Sequence, residues 1–396
     1  MKTFDNAGVA ALMALTTVAT VMGIDGTLPA MPEITRTLGV DKAATQLSLS
    51  LFLVGIAVGQ LVHGPIADRF GRKTALVAGL ALTIFATAGC AKATSIEALS
   101  AFRFVHGVAA ATGWIVSRAV VRDIFDRQEA ARVMSITLFF HALAPLFVPI
   151  VGAYLTVLYG WTAVFWFLSA YSAVVMLIFA LLFRETIPAR NPAALRLGPM
   201  LRNFGEVGRS RAFWGYTACA AASYGMLFSF LSVSAEVIIG SFGETATDYS
   251  YMFAACMVGN IFCMLASARL VHRFGVDALL RFGVYSGVVY GLIIAGFAWA
   301  GVHHWAAIIG PMTLCLSTFA FIFPQSVAGA LQPFPQIAGA ASSLIGFVQQ
   351  ITGAATGIAV AALTGGTQLW LANGILFWAL FGLGAYWFVV RKNRTI

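Results

Sequence analysis

Asp25, Arg103 and His106 are ionisable side chains inside long apolar stretches, where a charge costs enough that its presence points to a task. Asp25 lies near the outer end of the first stretch. Arg103 lies about one and a half helical turns into the fourth, entered from the same side, and His106 follows one turn later. A carboxylate that takes up and releases a proton, a fixed cation, and an imidazole that accepts a proton near neutral pH are together the parts of proton coupling or of charged-substrate binding. The plainer readings are a structural contact at the membrane interface for Asp25 and a snorkelling side chain for Arg103. Gly107, Ala110 and Ala111 beside Arg103 are suited to helix packing.

A second concentration of charge falls in Gly64-Pro65-Ile66-Ala67-Asp68-Arg69-Phe70-Gly71-Arg72-Lys73, between two apolar stretches. Glycine permits a tight turn, and Asp68 can accept hydrogen bonds from an arginine or from a neighbouring helix N-terminus. Such contacts form only when the helix ends are together, so this segment reads as a latch between conformational states. The plainer alternative is a solvated loop that only sets orientation.

Composition decides what must position these residues. The chain of 396 residues is 60% hydrophobic and 10% charged, with a mean hydropathy of +0.88, leaving too little polar surface to wrap a soluble core. Apolar windows of spanning length are read at 8–29, 45–65, 74–91, 97–117, 133–157, 161–183, 212–235, 249–268, 280–300, 304–331, 338–364 and 368–390. The expectation is an all-α membrane protein with twelve transmembrane helices. The first window carries Asp25 and no small-residue cleavage site stands out, so it reads as a span rather than a signal peptide. The five cysteines fall in or at the ends of windows without a CxxC pair, and read as small packing residues with no disulfide framework and no metal site. His63 and His141 read as hydrogen-bonded core or gate residues.

Charge gives the topology. If the N-terminus is cytoplasmic, 20 of the 24 Lys and Arg fall in cytoplasmic segments, and only Arg36, Lys42 and Lys92 fall in external ones. This is the positive-inside bias; it places both termini in the cytoplasm and removes any need for nucleic acid to explain the net charge of +9. The longest polar interval, 184–211, reads as a cytoplasmic linker between six-helix bundles at 1–183 and 212–396. Arg69-Phe70-Gly71 recurs as Arg273-Phe274-Gly275 at an offset of 204 residues, each time after the second span of its half. Two related halves with a site near the midplane is a transporter plan.

The 64–73 segment resembles the GxxxDRxGRR/K signature of the major facilitator superfamily, in the expected place between spans two and three. Asp25-Gly26-Thr27-Leu28-Pro29-Ala30-Met31-Pro32, Ser117-Arg118-Ala119-Val120-Val121-Arg122-Asp123, and Gly160-Trp161 followed by Phe165-Trp166-Phe167 are similar to the bicyclomycin and chloramphenicol resistance (Bcr/CflA) group of drug:proton antiporters. The resemblance implies two pseudo-symmetric six-helix bundles, alternating access and exchange of protons for drugs. It makes Gly64, Asp68, Arg69, Gly71 and Arg72 the latch. In the fifth span Pro145, Pro149 and Gly152 resemble the antiporter motif, with Val148 where the pattern has glycine; the prolines are expected to kink the helix while close backbone packing is in doubt. Arg103-Phe104-Val105-His106-Gly107 matches RxxxG, with His106 where many relatives carry Gln.

Between Phe282 and Val390 there is no Asp, Glu, Lys or Arg, so coupling is expected from the first half alone, at Asp25, Arg103 and His106. Arg118, Arg122 and Asp123 are candidates for a cytoplasmic gate. Trp114, Tyr224, Met226, Phe228, Phe230, Phe321, Phe323 and Gln349 are candidates for an adaptable drug pocket. No GxxxxGK[ST] loop is present. The reading is therefore proton-coupled efflux of small amphiphilic drugs across the inner membrane by a monomer in lipid, with the proton gradient in place of any cofactor. The rival within transport is a metabolite exporter, for a nucleoside, amino acid or siderophore. A receptor or an enzyme is disfavoured, because no extramembrane domain, paired carboxylates, nucleophile–His pair or metal-ligand cluster is seen.

Overall fold

The computed structural model describes residues 6–187, 190–192, 194–364 and 368–391. Lys2, Lys392 and Arg394 of the charge count, and Pro188, Ala189 and Ala193 of the expected linker, lie outside the described residues. The chain forms two compact units, Met1–Arg196 and Leu197–Ile396. The first contains α1 (Asn6–Asp25), α2 (Met31–Leu38), α3 (Lys42–Phe70), α4 (Arg72–Ala91), α5 (Ile96–Ile124), α6 (Arg127–Tyr159) and α7 (Trp161–Leu182). The second contains α8 (Leu197–Gly208), α9 (Arg211–Leu231), α10 (Ala246–Phe274), α11 (Val276–Trp299), α12 (Trp305–Leu331), α13 (Ala338–Thr364) and α14 (Gln368–Ala385). Among the described residues, 12 helical stretches are long and apolar enough to cross a membrane, with α1 and α2 joined through the turn Leu28–Ala30 into one.

Two features differ from the sequence reading. The charged segment 64–73 is almost wholly helical: α3 runs through Gly64 and Pro65 to Phe70, α4 starts at Arg72, and Gly71 alone makes the turn at φ +106°. A side chain at that φ is strained, which is why glycine stands there. Gly64 is inside a helix with room beside it, so it neither makes the turn nor permits a close contact. The second difference is that the interval 184–211 contains helix α8, whose Val207 is buried with Phe213, Phe334 and Ile345 of the second unit. Its last part is structural rather than a plain linker.

Polar residues that compete with the backbone mark the helix starts. Asp41 Oδ1 accepts from Ala44 N at 2.6 Å, Ser95 Oγ from Ala98 N at 3.3 Å and Thr245 Oγ1 from Asp248 N at 3.0 Å, each satisfying a first-turn donor with no intrahelical partner.

Glycines set the closest contacts within each unit. In unit 1, α5 packs against α1, α3, α4 and α6. Its crossing with α3 is backbone to backbone, since a Cβ added at Gly107 would meet the Phe52 carbonyl and one at Gly55 would meet that of Phe104. Where lipid removes most of the hydrophobic driving force, such close approach supplies dispersion contacts. In unit 2 rings fill the spaces beside glycines: Trp378 against Gly225, Tyr216 against Gly329 and Phe228 against Gly353.

Candidate functional site

Arg103 is 2% exposed and lies where α1, α3, α5 and α7 meet. Its Nη1 donates to the Gly23 carbonyl at 2.8 Å, its Nη2 to Thr27 Oγ1 at 3.5 Å, and Nη1 stands 3.5 Å from His106 Nδ1. Its guanidinium carbon lies 4.3 Å from the centroid of Phe52 and 5.7 Å from that of Phe165. Gly23 is among the last four residues of α1, whose carbonyls have no helical partner and carry the negative end of the helix dipole. The cation therefore caps α1, and the aromatic faces add cation–π attraction.

Arg103 does not pair with Asp25 in this geometry. Asp25 is buried, 7% exposed, two residues beyond the carbonyl that Arg103 holds. Among the described residues it has neither an ion pair nor a hydrogen bond from its carboxyl group. His106 is fully buried, with its ring 4.7 Å from Phe52 and its Nε2 without a hydrogen-bond partner among the described residues. The three residues thus share one end of unit 1, tied together through the end of α1 rather than through a salt bridge. Phe52, Phe165 and the Gly23 carbonyl were not legible as parts of this centre, because nothing in the sequence fixes how α3, α5 and α7 are rotated.

At the other end of unit 1, the turn at Gly71 gathers four charged residues. Arg72, 4% exposed, pairs with Asp68 one turn earlier and donates from Nε to Asp123 Oδ2 at 2.9 Å. Glu185 accepts from the backbone N–H of Arg72 at 2.8 Å and of Lys73 at 3.3 Å, capping α4. Asn191 N donates to the Asp68 carbonyl at 2.9 Å, holding the segment after α7 onto the same turn. Glu185 is the member that sequence reasoning missed; the signal available was a carboxylate immediately beyond an apolar window. Arg69 instead lies over Phe70, 5.4 Å from its centroid, and Arg273 lies over Phe274 at the same 5.4 Å in the repeat. Asp123 belongs to this cluster through Arg72. Arg122 is exposed and Arg118 lies 4.5 Å over the Trp114 ring.

The remaining candidates divide. Helix α6 is continuous through Pro145 and Pro149. Gly152 packs directly on the Gly26 backbone, so close approach survives one turn after Val148. Met226, Phe228, Phe230 and Phe321 are buried in unit 2. Tyr224 and Phe323 are half-buried: Tyr224 lies 5.0 Å from Phe228 and 6.3 Å from Phe319, which stacks on Phe323 at 4.9 Å. Gln349 is buried with its Nε2 unpartnered. His63 Nε2 lies 2.7 Å from the Val108 carbonyl and binds α3 to α5.

Among the described residues, twelve helical stretches long and apolar enough to cross a membrane are shared between two units, and the buried charged side chains lie in the first, the pattern of a multi-pass membrane protein. Residues 13–357 match the Major Facilitator Superfamily, and the chain belongs to that family. It is 30% identical over 371 residues to a bicyclomycin resistance protein homolog of Haemophilus influenzae, covering 94% of this chain and 93% of that protein. It is 29% identical over 330 residues to a chloramphenicol resistance protein of Pseudomonas aeruginosa, covering 82% and 76%. Among solved structures, a POT family transporter in complex with thioalcohol conjugated peptide superposes with a TM-score of 0.79 at 12% identity, covering 98% of this chain and 96% of that one.

Proposed function

We propose that this protein exports small amphiphilic drugs across the inner membrane by alternating access in exchange for protons, with both termini in the cytoplasm and without enzymatic activity or a bound cofactor. The observation that carries the reading is Asp25, a buried carboxyl group without an ion pair or hydrogen bond among the described residues, beside the α1 end that Arg103 holds. A proton taken up there neutralises a charge next to hydrocarbon, and its release restores one, so the protonation state is coupled to the electrostatics of the α1–α5 junction. Arg103 keeps the junction positive in either state. The relatives named for bicyclomycin and chloramphenicol resistance support drugs as the cargo. Asp68, Arg72, Asp123 and Glu185 act as the latch that holds one end of unit 1 closed.

The test is transport in proteoliposomes with an imposed pH gradient and a compound panel, together with substrate-induced proton release from purified protein in weak buffer. Asp25→Asn should abolish pH-driven uphill export and proton release while some substrate binding remains. Arg103→Ala should lose binding and export alike. Undiminished proton release and efflux in Asp25→Asn would move coupling elsewhere, with His106 next to be examined.

A further inference from the structure

We infer that Trp114, Arg118 and His141 form a substrate subsite on unit 1 that selects planar amphiphiles carrying an anionic group. The inference rests on the export reading for its physiological meaning but not for its geometry. Helix α5 is enclosed by α1, α3, α4 and α6, and most of its residues are buried, yet Arg118 is exposed and Trp114 half-buried, one turn apart. They occupy the side that the four neighbours leave open. The guanidinium carbon of Arg118 lies 4.5 Å over the Trp114 ring, and that ring lies 4.8 Å from the imidazole of His141 on α6.

The three side chains supply complementary chemistry. Arg118 offers guanidinium donors that match a carboxylate in a forked geometry. Trp114 offers an apolar surface against which a flat ring packs. The His141 ring hydrogen-bonds the Thr17 main chain, while its Nδ1 is buried without a partner among the described residues. With the other nitrogen donating to a carbonyl, Nδ1 is an acceptor in the neutral ring. A ligand that fits presents a flat ring, an anionic acceptor toward Arg118 and a hydroxyl or N–H donor toward His141.

Arg118 stands 15 residues beyond Arg103 on one continuous helix, about 22 Å along its axis. An anion held at Arg118 therefore does not displace the proton at Asp25, and the two sites are distinct. This has an electrical signature. Exchange of one inward proton for one outward anion moves two elementary charges, against one for a neutral cargo.

The experiment uses the full chain in nanodiscs and measures binding of 2-naphthoate, its neutral counterpart 2-naphthamide and 6-hydroxy-2-naphthoate. Wild type should bind 2-naphthoate at least about tenfold more tightly than the amide, as expected of a charge-assisted bidentate contact. Arg118→Gln should bring the two to parity and Arg118→Lys should restore part of the preference. His141→Phe should lose the extra affinity of the hydroxylated probe while keeping the preference for the anion. Equal binding of acid and amide by wild type overturns the proposal without recourse to any variant, as does a preference that survives Arg118→Gln. Anion-selective binding with no pH-driven transport would leave the subsite standing and remove the export reading; transport without anion selectivity would do the reverse.

Discussion

The two carboxylates that face Arg72 should contribute unequally, and the inequality can be measured. Asp123 is 12% exposed and Asp68 44% exposed, while the guanidinium they share is 4% exposed. Removing one charge from a buried pair costs roughly 3–5 kcal/mol when the partner is left bare. In Asp123→Asn the partner keeps Asp68, and the neutral amide still accepts a hydrogen bond, so the expected loss falls to about 1–3 kcal/mol. Asp68 is solvent-screened, and Asp68→Asn should cost about 1 kcal/mol or less. The amides of Arg72, Lys73 and Asn191 report the opening of this turn, since their acceptors are Glu185 and the Asp68 carbonyl. Hydrogen exchange at these three amides should accelerate by roughly 5–150-fold in Asp123→Asn and by no more than about fivefold in Asp68→Asn, tenfold corresponding to about 1.4 kcal/mol. The same ranking should hold for loss of transport. If Asp68→Asn loosens the turn as much as Asp123→Asn, burial is not what sets the strength of the latch, and the reasoning fails.

Gly107→Leu drives a side chain into the Phe52 carbonyl and should lower the melting temperature of the detergent-solubilised protein, an overpacking cost of about 1–3 kcal/mol or more; an unchanged melting temperature would show that α3 and α5 are free to separate. Glu185→Gln retains an acceptor for α4 but removes the charge at its N-terminus, so exchange of the Arg72 and Lys73 amides should rise by a few-fold, corresponding to about 0.3–1 kcal/mol. Tyr216→Phe deletes the 3.1 Å hydrogen bond to Asp277 in the repeat of this turn at a cost of about 1 kcal/mol, and exchange should rise in unit 2 alone.

Much of this architecture was legible because a bilayer imposes length and polarity on every span. The twelve windows correspond to the twelve apolar helical stretches, and the Arg-Phe-Gly repeat corresponds to two turns with a positive-φ glycine and the same arginine-over-phenylalanine contact. What was not legible depends on helix rotation. Spacing alone does not show whether Arg103 and Asp25 meet; the guanidinium reaches the Gly23 carbonyl, a backbone acceptor that no residue type advertises. Phe228 and Met226 resembled pocket residues because aromatic and thioether side chains suit adaptable sites; their burial follows from packing against glycines elsewhere in the chain. Glu185 joins the Arg72 cluster only because the segment after α7 folds back onto α4.

The way Arg103 is satisfied bears on how the chain is made. An arginine inside a helix entering the bilayer alone is costly, up to about 3 kcal/mol at the helix centre and less toward its ends. Here its compensation is a carbonyl near the end of α1, a helix synthesised some 80 residues earlier, whereas α12, α13 and α14 lie within a stretch, Phe282 to Val390, that holds no Asp, Glu, Lys or Arg. Insertion of α5 is therefore favoured when α1 is still beside the translocon to receive it, while the final helices can enter the lipid one at a time without waiting for a partner.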